Sequence, residues 1–339
     1  MNIKTLLLGS AAALAMFSGA HAADAIVAAE PEPLEYVRIA DAFGAGYFYI
    51  PGSETCLKIG GMVRNDTSFY NPYDPTAHNG TRNYSRAELK FNTATDTEYG
   101  PLKTNTTLRF NYAEGANGDA SPLIANIQLG GFLIGRADSQ YNDFIGYAGD
   151  VINDDVIGDG PDELNQATYL YDSGAGFSAV VSLEDSFSSP FFDHYAPDAV
   201  AGIGFKSGGW GIKVVGGYDS IAKEGAIKAR IDGTLGQVSL FLEGAWNTDG
   251  KTFNKYANGD FTGSTGDWTI WGGGTVDLNE KLKWNVQLAY ADNKTFEATT
   301  NLAFFPIKNF KIQPEITYVN YDSINKDVWS GILRFQRNF

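Results

Sequence analysis

Carboxylates are concentrated in one segment near the middle of the chain, from Ser139 to Glu163. The segment has no lysine or arginine, and its aspartates include Asp143, Asp150, Asp154, Asp155 and Asp159. Two or three of them could hold a divalent ion, although their spacing does not follow the D-x-[DN]-x-[DN]-G pattern of a calcium loop. They could instead form the acidic side of a narrow, water-filled gap that selects among ions. A solvated acidic surface loop is the third interpretation.

Basic side chains that could face these acids lie on the polar faces of strand-like segments. From Leu102 to Tyr112, apolar or threonine residues alternate with polar ones, and Arg109 belongs to the polar set. The polar faces of the two preceding segments likewise carry basic residues, namely Lys58, Arg64 and Arg86. Because successive side chains of a strand point to opposite faces, these four are predicted to share the inner face of a sheet.

Arg136, just before the acidic segment, is a fifth basic candidate whose direction is ambiguous. It has the same strand parity as Phe132 and Ile134, which are apolar. It would point inward only if Gly135 marks a β-bulge.

The elements that must position these residues are strands, with no convincing helix among them. About sixteen segments of roughly ten residues show strand periodicity, the length that a tilted strand needs to cross a bilayer. They are residues 56–68, 85–91, 102–112, 123–130, 132–138, 164–172, 177–185, 198–206, 210–219, 225–233, 237–247, 267–277, 282–291, 294–304, 309–321 and 328–339.

The connectors between these segments alternate in length. Short ones, rich in glycine and asparagine, include residues 99–100, 130–131, 173–176 and 278–281, and long ones include 71–81, 139–163 and 248–266. Residues 220–224 and 292–293 should be long and are short. Short turns on one side and long loops on the other are typical of a transmembrane antiparallel β-barrel, with the short turns in the periplasm.

The two ends of the chain support export to a membrane. Residues 1–22 resemble a secretory signal, with Lys4, an apolar core and Ala20-His21-Ala22 as the cleavage site. The last segment, Val328 to Phe339, alternates between a mostly apolar and a mostly polar face and ends on an aromatic residue. Its pairing with the strand that begins at Cys56 would close the sheet, which a bilayer requires of strands. Arg337 on its apolar row is then expected at the periplasmic rim, as is Phe339.

Composition excludes several classes of protein. With 25 basic and 40 acidic residues, the chain has a formal net charge of −15, which does not suit a nucleic-acid partner. Cys56 is the single cysteine, so no internal disulfide can form. The three histidines, His21, His78 and His194, match no nucleophile motif, so an enzyme is not expected. The alternation of lipid-facing and lumen-facing residues explains why mean hydropathy is only −0.21.

Four stretches of the chain resemble the alphaproteobacterial porins of the Rhizobiales type. They are Asp41-Ala-Phe-Gly-Ala-Gly-Tyr-Phe-Tyr-Ile-Pro-Gly-Ser-Glu-Thr-Cys-Leu-Lys-Ile-Gly-Gly61, the opening residues 1–10, Gly149-Asp-Val-Ile-Asn-Asp-Asp155, and Arg334-Phe-Gln-Arg-Asn-Phe339. The resemblance implies a sixteen-stranded general diffusion porin, a homotrimer in outer-membrane lipid and lipopolysaccharide, with no cofactor or metal. Its domains would be a signal peptide (1–22), a periplasmic tether (23–55) and a barrel (56–339). Family members usually carry a second cysteine where this chain has Ala40.

In porins the third long loop folds into the lumen, so the resemblance implies that residues 139–163 form the constriction. The acidic loop would then face the basic wall and set up a transverse field that orients small hydrophilic solutes and ions. Arg136 resembles the constriction arginine of general porins. The overall excess of acid suggests a mild cation preference. Ala23, ahead of an acidic proline-rich stretch, resembles the N-terminus of related barrels that is joined to peptidoglycan, and an ordinary leader is the alternative.

Two other classes of protein remain as alternatives. An outer-membrane adhesin or structural barrel could use the acidic loop to hold a divalent cation. A soluble β-sandwich also has short alternating strands.

Overall fold

The computed structural model describes residues 38–76, 80–113, 116–118, 121–147, 149–186, 195–248, 254–260 and 263–339. The predicted signal peptide, residues 23–37 of the predicted tether with Ala23, and His78 and His194 lie outside these residues. Among the described residues, the helices are too short to cross a membrane.

Sixteen long strands form one continuous sheet. In chain order they are β1 (Cys56–Phe69), β2 (Thr81–Thr95), β3 (Leu102–Ala113), β4 (Ser121–Leu129), β5 (Phe132–Asp138), β6 (Glu163–Asp172), β7 (Phe177–Glu184), β8 (Asp198–Ser207), β9 (Trp210–Asp219), β10 (Glu224–Leu235), β11 (Val238–Asn247), β12 (Trp268–Asn279), β13 (Leu282–Ala291), β14 (Thr295–Ile307), β15 (Phe310–Tyr321) and β16 (Lys326–Asn338). Each pairs antiparallel with the next long strand along the chain, and the predicted number of strands is confirmed.

The sheet closes where the last strand meets the first. β16 pairs antiparallel with β1, from Met62 opposite Asn338 to Phe69 opposite Gly331. Beyond the strand, Phe339 exchanges two backbone hydrogen bonds of 3.0 Å with Gly61. The closed sheet is therefore a barrel with no free edge between these strands, as the sequence predicts.

Side chains alternate between the two faces of the wall. In β13, Asn285 and Gln287 are buried inside, whereas Trp284 and Leu288 are 44% and 48% exposed on the outside. Polar groups can occupy the interior because it holds water and hydrogen-bonding partners, while the apolar outer face suits a bilayer. Polar residues thus face inward and apolar residues face outward, as the sequence predicts.

The connectors alternate in length around the barrel. Tight turns such as Gly130–Gly131 close one rim, and the long connectors lie at the other. The two short connectors at the loop rim are tight because Lys223 and Lys294 adopt left-handed backbone conformations with φ of 60° and 68°. Their shortness therefore does not change the strand count.

The residues before the barrel are folded onto its first strand. Phe48–Tyr49 pairs antiparallel with Leu57 and Cys56, and Ile39 forms a further bridge with Phe48. Ala40 and Cys56 are both buried. The described part of the predicted tether is therefore a small extension of the sheet.

The loop between β5 and β6, residues 139–162, folds into the barrel over its described part, 139–147 and 149–162, and we call it the constriction loop. It begins with a single helical turn, Gln140–Asp143, which the expectation of no helix missed. The Ser139 hydroxyl caps this turn by accepting a hydrogen bond from the Tyr141 amide. Phe144 and Ile145 pack with the wall residues Val180, Val200 and Val215, which places an apolar cluster inside the lumen.

Candidate constriction site

A buried lysine on the wall attaches the constriction loop to β10. Lys228 has no exposed surface, and its Nζ donates at 2.7 Å both to Asn142 Oδ1 and to the Asp159 carbonyl. The carboxylates of Asp159 and Glu243 lie 3.4 and 3.7 Å from the same nitrogen. Burial of this cation is tolerated because opposite charges and hydrogen bonds surround it.

The start of the constriction loop is held by a carboxylate from β7. Glu184 accepts from the Ser139 hydroxyl and from the Gln140 amide, both at 2.8 Å, and from the Tyr256 hydroxyl at 2.9 Å. One wall side chain thus fixes both the first turn of this loop and a residue of another long loop.

The middle of the constriction loop is held by a carboxylate from β15. Glu315 accepts from the backbone amides of Ile152 and Asn153, the latter at 2.8 Å. Asn301 donates to this carboxylate at 2.9 Å and to the Asp150 carbonyl at 3.0 Å. These contacts bring the loop from its origin at β5 along the wall as far as β15.

The wall on the other side of the gap carries a cluster of arginines. Arg334 of β16 forms a two-point ion pair with Asp66 of β1, with N–O distances of 2.8 and 3.0 Å. Arg64 Nε lies 3.2 Å from the same carboxylate. Arg86 of β2 donates to the Tyr84 hydroxyl at 2.7 Å. We call Arg64, Arg86 and Arg334 the arginine wall.

A cavity of ≈ 650 Å³ separates the arginine wall from the constriction loop. Ile152 and Asn153 line its loop side, and Tyr70 to Tyr73 of the first long loop line its rim. The Tyr321 hydroxyl donates to the Pro72 carbonyl at 2.7 Å, so this first loop is also drawn inward. The cavity is polar and water-sized groups can enter it, which suits a path for hydrophilic solutes.

Two loop carboxylates stand next to this cavity. Asp154 and Asp155 directly follow the lining residues, and Tyr73 lies close to both. Burial, reinforced by neighbouring acids, raises the pKa of Asp154 and of Asp155 well above the usual range. Burial and these two carboxylates also raise the pKa of the Tyr73 phenol. The carboxyl groups of Asp154 and Asp155 are therefore only partly ionised at neutral pH.

Comparison with known proteins decides the family. A family model described as "Porin subfamily" matches residues 24–335. The chain is 42% identical, over the full length of both proteins, to "Porin Omp2b" of Brucella neotomae and to "Porin Omp2a" of Brucella melitensis biotype 1. This chain belongs to the porin family. It is an outer-membrane β-barrel, and the resemblance read from its sequence motifs is confirmed.

Solved structures share the porin fold at much lower identity. The outer-membrane channel DcaP of Acinetobacter baumannii aligns with a TM-score of 0.65 and 16% identity, over 86% of this porin and 99% of that chain. OmpF of Salmonella typhi aligns with a TM-score of 0.63 and 11% identity, over 84% and 98%. These likenesses concern the fold.

The acidic candidates of this porin fall into three environments. Asp154 and Asp155 lie beside the cavity, as described above. Asp143 is exposed at the end of the helical turn, and Asp150 is exposed and accepts from Thr275 at 3.3 Å. Asp159 is 5% exposed and is bound to Lys228 and Asn142, so it anchors the loop to the wall and does not line the gap.

The basic candidates are likewise divided. Arg64 and Arg86 line the cavity. Arg109 is paired with Glu88 at 2.7 Å, one strand further along the wall. Lys58 is on the row of Arg64 but lies over the Tyr47 ring at 5.8 Å, against the segment that precedes the barrel.

Arg136 does not join the arginine wall. β5 pairs with both neighbours without a register shift, so Arg136 stays on the outward row of Phe132 and Ile134. Gly135 does have a positive φ of 121°, but no extra residue is inserted there. Arg136 donates to the Leu123 carbonyl at 2.9 Å and lies 4.0 Å from Glu163.

Sequence reasoning missed several residues that shape the gap. Arg334 was visible on the polar row of the terminal strand, and only the closure of the barrel brings it beside Arg64. The anchors Lys228, Glu184 and Glu315 sit on inward rows far from the loop in sequence. Their signal is a charged side chain on an inward row of a strand, because such a side chain needs a partner when it is buried.

Proposed function

We propose that this porin is a general diffusion channel whose narrowest part lies between the constriction loop and the arginine wall. Small hydrophilic solutes and ions would pass it passively. The observation that carries the proposal is the inward loop, held by Lys228, Glu184 and Glu315 at separate points, which leaves a polar cavity opposite Arg64 and Arg86.

The selectivity of the gap would come from its two unlike sides. Asp154 and Asp155 belong to the loop side, and Arg64, Arg86 and Arg334 to the wall side. A solute between them experiences a field across the pore, which favours polar over apolar molecules because a dipole can align with it.

We also propose that the barrel assembles as a homotrimer through the outer face of β1 to β3. There, outward polar side chains bond to each other, with Asn65 to Ser85 at 3.0 Å, Thr67 to Asn83 at 3.1 Å and Thr93 to Thr104 at 2.6 Å. By contrast, the outer faces of β8 to β15 carry large apolar side chains such as Ile203, Leu240 and Leu302. Lipid and lipopolysaccharide would contact this second region, because polar pairs suit contact with protein better than hydrocarbon.

The trimer proposal has a direct test in native mass spectrometry of the detergent-solubilised protein. Replacing Asn65 and Thr67 by leucine and valine should shift trimer toward monomer while the barrel stays folded. A wild-type protein that is monomeric throughout would contradict the assignment.

The link to peptidoglycan at Ala23 remains a proposal based on the sequence. Digestion of cell envelopes with muramidase should release the protein with a muropeptide on the amine of Ala23. A free alanine amine in all of the released protein would end this proposal.

An adhesin that holds a metal ion gains no support. Among the residues that the structure describes, no group of three or more histidine, cysteine, aspartate or glutamate side chains is arranged to hold a metal. The match to a porin family supports a channel rather than an enzyme.

Single-channel recording in planar bilayers tests the main proposal. The purified wild-type protein should open steps of constant conductance. Replacing Asp154 and Asp155 by asparagine should lower cation over anion permeability, seen as a shift of the reversal potential in a salt gradient. Channels with an unchanged reversal potential would contradict the place of these two residues, and the absence of any conductance would contradict the channel itself.

A further inference from the structure

The cavity beside the constriction loop has an excess of positive charge in its lining. Its lining residues include Arg64, Arg82, Arg86 and Arg334, and Asp66 is the one carboxylate among them. Asp66 is already shared between Arg334 and Arg64. Glu88, the nearest other acid on this wall, lies 3.9 Å from Arg86 but only 2.7 Å from Arg109. The three guanidinium groups of the arginine wall therefore face two wall carboxylates, Asp66 and Glu88, and Glu88 is also paired with Arg109.

One tyrosine gathers these cations into a small area. The guanidinium carbons of Arg64, Arg82 and Arg86 lie 5.8, 5.5 and 5.3 Å from the centre of the Tyr84 ring. An aromatic face attracts guanidinium groups and holds them in place, although their like charges repel each other. The hydroxyl of Tyr84 in turn donates to Asn111 at 2.5 Å, so the ring itself is fixed.

The arginines keep hydrogen-bond donors for a solute. A guanidinium group has five N–H donors, and within the described part of the chain Arg334 uses its Nε and Nη2 on Asp66. Arg86 uses its Nε and Nη2 on Tyr84 and Asn111. The remaining Nη groups of the arginine wall belong to residues that line the cavity. Guanidinium groups match carboxylates and phosphates because two parallel N–H donors meet two oxygens.

The loop side reduces this positive charge only in part. Ile152 and Asn153, the loop residues in the lining, are uncharged. Burial raises the pKa of Asp154 and of Asp155, which lowers their negative charge near neutral pH. The mild cation preference expected from the overall acidic composition thus does not describe this cavity, because most of the acidic residues lie elsewhere in the chain.

We propose that Arg64, Arg86 and Arg334, gathered around Tyr84 and Asp66, form a binding station for small oxyanions at the narrowest part of the pore. Solutes that carry a carboxylate or a phosphate would pause there and pass in preference to cations of similar size. The proposal rests on the diffusion channel proposed above and names the class of solute that its constriction favours. The cavity of ≈ 650 Å³ has room for such an anion together with water.

The test uses the full-length protein in planar bilayers, with chloride current measured while inorganic phosphate is added at constant ionic strength. Wild-type channels should be anion-selective, and phosphate should reduce the chloride current in a saturable way. The double variant R64Q/R86Q should weaken this inhibition by about tenfold or more, because each lost charge-assisted contact contributes strongly to binding. Its reversal potential should also move toward cations.

Two further variants separate the effect of positive charge in the cavity from the effects of charge elsewhere and of the two-donor geometry. R337Q removes a charge at the turn rim, where Arg337 donates to the Lys308 carbonyl, and it should behave as wild type. R64K/R86K keeps the charge and loses the two-donor geometry, so it should stay anion-selective while phosphate inhibition weakens. Acetate used in place of phosphate shows whether one carboxylate suffices. Heat-dependent migration in gels confirms that each variant has folded.

Several outcomes would overturn the proposal. Conducting wild-type channels that are cation-selective, or that phosphate does not inhibit, would refute the station but leave the diffusion channel standing. Inhibition that R64Q/R86Q leaves unchanged would do the same. A wild-type protein with no conductance would instead refute the proposed channel.

Discussion

Replacing Lys228 by methionine removes the cation that attaches the constriction loop to β10. The substitution keeps an unbranched side chain that is one atom shorter, and it leaves Asp159 and Glu243 as carboxylates that are 5% and 0% exposed. Removing one partner of a buried ion pair costs about 3–5 kcal/mol, because the remaining charge has no compensation. Arg230 still contacts Glu243 at 3.0 Å, so we expect a value near the lower end of this range.

A loss of about 3 kcal/mol at this attachment changes the ratio of bound to released loop by roughly a hundredfold. Glu184 still holds the start of the loop and Glu315 its middle, so we expect brief release of the segments around Asn142 and Asp159. Single-channel records of K228M should show larger open-channel noise and a higher mean conductance, and thermal unfolding should begin at a lower temperature.

The control for K228M is K283M. Lys283 pairs with Asp277 at 2.9 Å, but both side chains are nearly half exposed, so this pair contributes about 0–1 kcal/mol. The double variant K228M/D159N removes one of the buried carboxylates that K228M leaves without its cation, and it should recover part of the lost stability. Wild-type noise, conductance and thermal stability in K228M would refute the view that this lysine holds the loop.

Three further predictions follow from the geometry of the pore and the closing seam. Burial raises the pKa of Asp154 to about 8 and of Asp155 to about 7. The titratable groups around these two carboxyls include Tyr73, Glu297, Glu315, Lys228 and Asp159. Both acids gain charge between about pH 6 and 9, so cation permeability relative to anion permeability should rise across that range, and D154N/D155N should flatten the rise in reversal-potential measurements. E315Q weakens the hold on the Ile152 and Asn153 amides by about 1–3 kcal/mol, which should speed hydrogen exchange at those amides but not in the helical turn. G61A places a methyl group against the Glu88 carbonyl oxygen, closer than van der Waals contact allows, and should lower the unfolding temperature, whereas G80A, with open space around it, should not.

The strand count could be predicted because the inner and outer faces meet different solvents. Where the inner and outer faces of a strand are both polar, the predicted segment is shorter than the strand. The second predicted segment covered residues 85–91, and β2 spans Thr81–Thr95. Its ends carry Asn83 and Thr93 on the outer face, where a lipid-facing strand would be apolar, so alternation did not reveal them.

The constriction loop could be predicted as acidic, but the roles of its individual acids could not. Asp154 and Asp159 look alike in sequence, yet Asp159 is buried against Lys228, which lies 69 residues away. The same limit applies to Arg136, whose direction depends on the pairing of β5 with both neighbours. Such differences arise from contacts between distant strands, which periodicity does not report.

The seam between Gly61 and Phe339 has a consequence for how the protein is made. The first strand to leave the export machinery must wait for the last residue before its edge is covered, so local contacts cannot complete the structure. Until then two open edges exist, and open edges invite pairing with other chains. A chain that lacks β16 would keep the edges of β1 and β15 open, so the closed sheet depends on this one strand.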